Sequence, residues 1–449
     1  MTNDLTKGPI GIWLAKLTAP MVLGIFAIFL FNLVDTYFIS LLGTAPLAAV
    51  SFTFPITMLV MNLAIGLSIS TGAVVAKAVG SQNKQQAQYW ISTSIFLACL
   101  LGVIVGGVGY CLQPWVFDLL GASIDLLPLI HEYMDIWLLG CVGLVVLIVI
   151  NASVRATGNT KLPSLVMLLS AFINGILDPI LIFGVGPIPS LGIQGAAIAT
   201  LVSWLVAIVW VCRSLVSKQL LTFRYQGSTL HAWNRLLSLG LPAALTNMLG
   251  PISNAVLVSW VAVHGTEAVA AYGVGSRLEP IALIVVMAFT ASLPPFVGQN
   301  FGAGNIHRIE HALLTSMKFL VGWQLLVYAL LALFAHPISS LFSDEPEVRS
   351  IIQSFLYIMP LSYIGIAMSL VATATINALH KTKVSLNINI LRLFILYIPC
   401  AWIGDHFFGL IGIFWGCAIA NVIIGVIIVL LFKKVRSSEA WQAKLITSP

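Results

Sequence analysis

Twelve apolar runs, each long enough to cross a lipid bilayer, dominate this 449-residue chain and leave it few ways to fold. A crossing needs about 20 apolar residues at 1.5 Å rise each. The runs fall at roughly 13–42, 49–77, 89–112, 127–154, 163–184, 192–216, 236–263, 269–299, 310–336, 350–377, 384–404 and 409–433. With 59% hydrophobic and 8% charged residues, the chain has too little charge to cover a soluble surface. It is expected to be an all-α polytopic membrane protein, with the lipid bilayer as its constant partner. The net charge of +6 does not mark a nucleic-acid binder, because Lys and Arg sit at the ends of apolar runs and form no basic stripe. Nothing before the first run resembles a cleavable signal.

Lys and Arg gather in the N-terminus, in alternate loops and at the C-terminus, from Lys7 and Lys16 through Arg213 and Arg224 to Lys433, Lys434, Arg436 and Lys444. The intervening loops hold acids such as Asp118, Asp125 and Glu345, with Arg349 the exception. The positive-inside rule then places both termini in the cytoplasm and calls for an even number of crossings. The six Cys lie in or at the ends of apolar runs and lack paired ligand spacing, so neither a disulfide framework nor a metal site is supported. The eight His are scattered near loops, with His307 and His311 the one pair in His-x-x-x-His spacing.

A constant shift of 222 residues relates the two halves. Pro20 pairs with Pro242, Asn32 with Asn254, Gly43-Thr44 with Gly265-Thr266, Gly80 with Gly302, Asn83 with Asn305 and Thr160-Lys161 with Thr382-Lys383. Six crossings per half bring both halves to the same orientation. The expected division is an N-lobe over 1–216, a cytoplasmic linker over 217–235 and a C-lobe over 236–449. Parallel repeats around a midplane site are a transporter plan. The halves differ in their acids: Asp35 maps onto Leu257, Asn174 onto Leu396 and Asp178 onto Cys400. Ion coupling is therefore expected in the N-lobe.

Asp35 lies well inside the first run, where a carboxylate costs roughly 2.5–3.5 kcal/mol on insertion scales and is seldom kept without a role. Apolar surroundings disfavour its ionised form, which suits it to exchanging protons. Asn32 sits one turn earlier, and Pro20 removes a backbone hydrogen bond and offers a hinge. In the fifth run Asn174 and Asp178 are four apart and project from one face, followed by Pro179. Asp35 and Asp178 sharing one site would titrate as a pair.

These features together resemble the multidrug and toxic compound extrusion (MATE) family, in its DinF-like branch. The likeness rests on two parallel six-helix halves, the first-helix acid, Asn-x-x-x-Asp-Pro in the fifth helix, and Gly-x-x-Asn loops after the second and eighth. The resemblance implies that Asp35 is the cation-coupling acid and Pro20 the point at which the first helix bends. It implies that Asn174, Asp178 and Thr200 complete the coupling site, with Asn32, Tyr37, Tyr133 and Asn151 in a supporting polar network. It further implies a bacterial inner (plasma) membrane location and a monomer. Branches with acids in the seventh and tenth helices find no match here. Arg277-Leu278-Glu279 is expected to form an internal ion pair in preference to a substrate contact, and Arg392 to act as an anchor or pair in preference to a ligand.

The leading expectation is a secondary antiporter that exports small amphipathic cationic drugs in exchange for protons. Phe26, Phe29, Phe31, Tyr37, Met58 and Met61 supply apolar and aromatic contacts for such ligands. Sodium held by oxygens of Asp35, Asn174, Asp178 and Thr200 is the alternative ion. A flippase for lipids or lipid-linked precursors is the alternative function, but it calls for a basic cavity where the first half has acids. Enzyme motifs and a Walker sequence are absent, so no cofactor beyond an ion gradient is expected.

Overall fold

The computed structural model describes residues 4–222 and 228–436. The middle of the expected linker, with Arg224, and the C-terminal Lys444 lie outside them. Among the described residues the fold is helical, with one isolated bridge between Val185 and Ile188. The first half contains α1 (Ile10–Ser40), α2 (Thr44–Gly80), α3 (Lys84–Leu119), α4 (Leu127–Ala156), α5 (Lys161–Phe183) and α6 (Gly192–Ser217). Next come α7 (Thr229–Val261), α8 (Thr266–Ala282), α9 (Ile284–Gly302), α10 (Ile306–Leu333), the short α11 (Ala335–Phe342) and α12 (Pro346–Ile358). The chain ends with α13 (Tyr363–Ala378), α14 (Thr382–Ile390), a π-helical segment Leu391–Tyr397 and α15 (Ile398–Arg436).

Among the described residues eleven helical stretches are long and apolar enough to cross a membrane. The last, Thr382–Lys433, runs for 52 residues, far more than the roughly 20 that one crossing needs. Gly409 breaks it with φ 60° and ψ −146°, a conformation open only to glycine, so it makes two crossings and the expected twelve are all present. Beside the break, His264 Nε2 lies 2.6 Å from Asp405 Oδ1 and ties it to the end of α7.

The chain divides into two compact units. The first is built on Ala19–Ala244, the second on Thr6–Thr18 and the residues from Leu245 onward. The division therefore runs through α1 and α7 rather than through the 217–235 stretch. In the first unit α4 is the central helix, packed against α2, α3 and α6. Gly102 and Gly106 on α3 open the way for α4; a Cβ at Gly102 would stand 2.7 Å from Val142 Cα. Small residues one turn apart let membrane helices approach this closely. In the second unit α13 is central, against α9, α10 and α15. A Cβ on Gly425 of α15 would stand 2.9 Å from Gly365 Cα on α13.

The 222-residue repeat reappears in the backbone. Gly43 and Gly265, at φ 115° and 106°, precede α2 and α8. Gln82 and Gly304 have φ 59° and 74°, and Gly158 and His380 have φ 84° and 62°. At the last two pairs the chain leaves a helix through a left-handed residue, and after Gln82, Gly304 and His380 the next amide reaches back five residues. Asn83 N donates to Ala78 O at 3.1 Å, Asn305 N to Asn300 O at 2.8 Å, and Lys381 N to Ile376 O at 3.1 Å.

Candidate functional site

In the first unit, α1 and α5 run side by side. A Cβ on Gly24 would stand 3.0 Å from both Met167 Sδ and Ser164 Oγ, and one on Gly175 would stand 3.9 Å from Val34 Cγ1. Ten residues along α1 thus match eight to eleven along α5, in parallel register. This brings Asp35 beside the fifth helix. The Ser164 hydroxyl also donates to the Pro20 carbonyl, a clasp with no signature in the sequence.

Asn174 and Asp178 are fully buried, and Thr200 nearly so. With Asp178 ionised, the Asn174 amide takes the orientation that avoids setting two acceptors face to face; in the other orientation its Nδ2 donates to Thr200 Oγ1 at 3.2 Å. In the first orientation its Nδ2 donates to Asp178 Oδ2 at 2.6 Å, and its Oδ1 accepts from the Thr200 hydroxyl and backbone N–H, both at 3.2 Å. Asp35 is half-buried, and its Oδ1 is buried without a hydrogen-bond partner. Asp35 and Asp178 lie within electrostatic range of each other, and buried Tyr133 of α4 within range of both. Two carboxylates, a phenol, an amide and a hydroxyl from four helices thus make one buried polar cluster.

Three expected members of the network stand apart. Asn151 lies 18 residues after Tyr133 on the same unbroken helix, about 27 Å along its axis, so it serves a different depth of the membrane. Its Oδ1 is buried and unpartnered there. Tyr37, two residues from Asp35, points to the other side of α1 and is 59% exposed. Asn32 is exposed as well. Pro20 sits inside a continuous α1, about 22 Å below Asp35.

The expected Arg277–Glu279 pair does not form. Residues two apart on a helix face different ways, and Arg277 is exposed. Glu279 instead lies in the field of Arg392 and beside the Tyr363 hydroxyl. Sequence spacing could not reveal that partner, since Arg392 is 113 residues further on. Among the described residues no group of His, Cys, Asp and Glu could hold a metal ion.

Known proteins share this chain's sequence pattern and fold. The MatE family model matches residues 20–180 and 242–403, two stretches that begin 222 residues apart. A protein of Shewanella oneidensis named FAD transporter is 41% identical over 427 residues, covering 94% of each chain. The multidrug export protein MepA of Staphylococcus aureus is 25% identical over 92% of each. The Vibrio cholerae MATE transporter VcmN in its bent form superposes with a TM-score of 0.92 at 35% identity, covering 96% of this chain and 98% of that one.

Proposed function

This chain belongs to the MatE family of membrane transporters, and on that premise we propose that it is a secondary active antiporter that expels organic solutes in exchange for protons. One observation carries the choice of ion. Asp35 Oδ1 is buried without a donor, in the field of a second buried carboxylate. A bare carboxylate oxygen away from water costs several kcal/mol, and a proton removes that cost. Sodium is less well served. It requires oxygens, and Asn174 supplies one beside Asp178 only in the amide orientation that gives up its nitrogen's bond to that carboxylate. The basic residues on alternate loops support cytoplasmic termini, so protons enter as the solute leaves.

Two solute classes have support. The acids Asp35 and Asp178 favour amphipathic organic cations, and a relative such as MepA is named a multidrug export protein. The 41% identical relative favours a flavin nucleotide. The test is export from proteoliposomes loaded in turn with ethidium and with a flavin, under separately imposed proton and sodium gradients. Export driven by the proton gradient alone, and lost in Asp35→Asn, is the expected result. Export that follows only the sodium gradient would overturn the proton assignment.

A further inference from the structure

The second unit holds a cavity of about 250 Å³ that the coupling site does not touch. Its polar walls are Ser253 and Asn254 of α7, Tyr272 and Glu279 of α8, and Arg392 and Tyr397 of the π-helical segment. All belong to the second unit. None of this polar set except Asn254 has a like residue in the first half. The counterparts of Glu279, Arg392 and Tyr397 at a shift of 222 are Thr57, Ser170 and Gly175.

The guanidinium is the telling group. Arg392 Nε and Nη1 are buried without hydrogen-bond partners, and Ser253 Oγ is buried and unpartnered beside the same space. Glu279 feels the charge of Arg392, yet among the described residues the two do not close into a direct ion pair. A purely structural pair would close, because a buried donor left unmade costs more than a made bond returns. Here the two charges face a common gap. The backbone supports this placement. In the π-helical segment the wider turn brings Arg392 and Tyr397, five residues apart, to the same cavity wall, and such segments recur at functional sites.

Charge then selects the occupant. A simple cation would meet Arg392, and a simple anion would meet Glu279. A neutral edge that offers an acceptor oxygen to the guanidinium and an N–H to the carboxylate satisfies both. Tyr272 and Tyr397 offer aromatic surface to a flat ring. The Tyr272 hydroxyl donates to Asn254 Oδ1 at 2.8 Å, which fixes that wall. The cavity is smaller than the roughly 300–1,000 Å³ of sites that enclose a whole drug-sized ligand, so it suits one ring end of a larger solute.

We propose that this cavity is a substrate subsite that recognises the acceptor–donor edge of a planar heterocycle, an imide or lactam, through Arg392 and Glu279. The proposal deepens the exporter reading and rests on its flavin class for the solute being a planar ring compound. It places specificity in the second unit and ion coupling in the first.

The test compares riboflavin with 3-methylriboflavin, in which the imide N–H is replaced by N–CH₃. Binding to the full-length protein in nanodiscs is read by quenching of flavin fluorescence. The wild type is expected to bind riboflavin at least about tenfold more tightly, because the methylated ring leaves the Glu279 carboxylate without its donor. In Glu279→Gln that preference should shrink to about threefold or less. In Arg392→Gln both flavins should bind about tenfold more weakly. The wild-type comparison needs no variant, so misfolding of either variant leaves the proposal exposed to refutation. Equal binding of the two flavins, no binding of riboflavin, or a preference unchanged in Glu279→Gln would each overturn it. Failure of the exporter reading looks different: the flavin preference would persist while no proton gradient drives export.

Discussion

On the proposed proton exchange, a carboxylate oxygen without a donor makes Asp35 the residue on which the cycle would turn. Asn is nearly the shape of a protonated Asp and cannot lose its charge state. Asp35→Asn is therefore expected to fold and insert normally and to lose gradient-driven export, by a factor of a hundred or so, as measured with proteoliposomes at matched protein content. Leu257→Asn, at the repeat-related position, should leave coupling intact. Equal export by Asp35→Asn and wild type would remove Asp35 from the mechanism. Asp35, Asn174 and Asp178 were legible because an acid in an apolar run is conspicuous, and an i, i+4 spacing fixes a shared face. Thr200 and Tyr133 needed the family resemblance, since a lone hydroxyl in a helix carries no signal of its own. The depth of Asn151 is the one thing its resemblance did not give: its spacing from Tyr133 on α4 puts it about 27 Å along the helix. Ser164 and the partner of Arg392 were hidden because both contacts join residues more than a hundred positions apart.

Among the elements, α1 and α7 each pass from one unit to the other, between residues 18 and 19 and between 244 and 245. Pro20 and Pro242, partners in the repeat, lie within three residues of those passages. A proline there removes one rung of the hydrogen-bond ladder where each helix changes company. The beginning of α1 is held in its own unit by Thr18 Oγ1 at 2.8 Å from Ser292 Oγ and by Arg308 Nη2 donating to the Gly8 carbonyl at 3.0 Å. Pro20→Ala restores the missing donor and is expected to slow turnover severalfold while substrate affinity stays within about twofold. Unchanged turnover would show that α1 does not bend there. The helix exits allow a test of stability alone. Gln82 is exposed and holds φ 59° where its counterpart Gly304 has φ 74°. Gln82→Gly should stabilise the protein modestly, and Gly304→Ala, with open space around its Cβ position, should cost about 1 kcal/mol. Thermal unfolding in detergent compares the two, and a lower midpoint for Gln82→Gly than for Gly304→Ala would contradict the argument. These exits were legible as Gly-x-x-Asn, whereas the π-helical segment was not: nothing in Leu391–Tyr397 departs from an ordinary helical pattern.

Across the whole molecule the halves share a backbone plan but divide their chemistry, with the paired acids in the first unit and Arg392 facing Glu279 in the second. That division sets the number of charges moved per cycle, which charge counting can decide. A monovalent cation leaving for one entering proton moves no net charge. The membrane potential, worth about 2.3 kcal/mol per elementary charge per 100 mV, would then contribute nothing. Only the pH gradient would drive export, at about 1.4 kcal/mol, or tenfold accumulation, per pH unit with the outside acidic. A second proton makes the exchange electrogenic. An interior-negative potential then adds roughly fifty-fold at 100 mV. Asp178 is the acid placed to carry that proton, since it is buried, bonded to Asn174 and within the field of Asp35. Ethidium export by the wild type is therefore expected to respond to potential at equal pH. In Asp178→Asn that response should vanish while sensitivity to the pH gradient remains. Liposomes clamped with potassium and valinomycin make the measurement. A wild type indifferent to potential would mean one proton per cycle, and would leave Asp178 to hold Asn174 in place while Asp35 alone carries the charge.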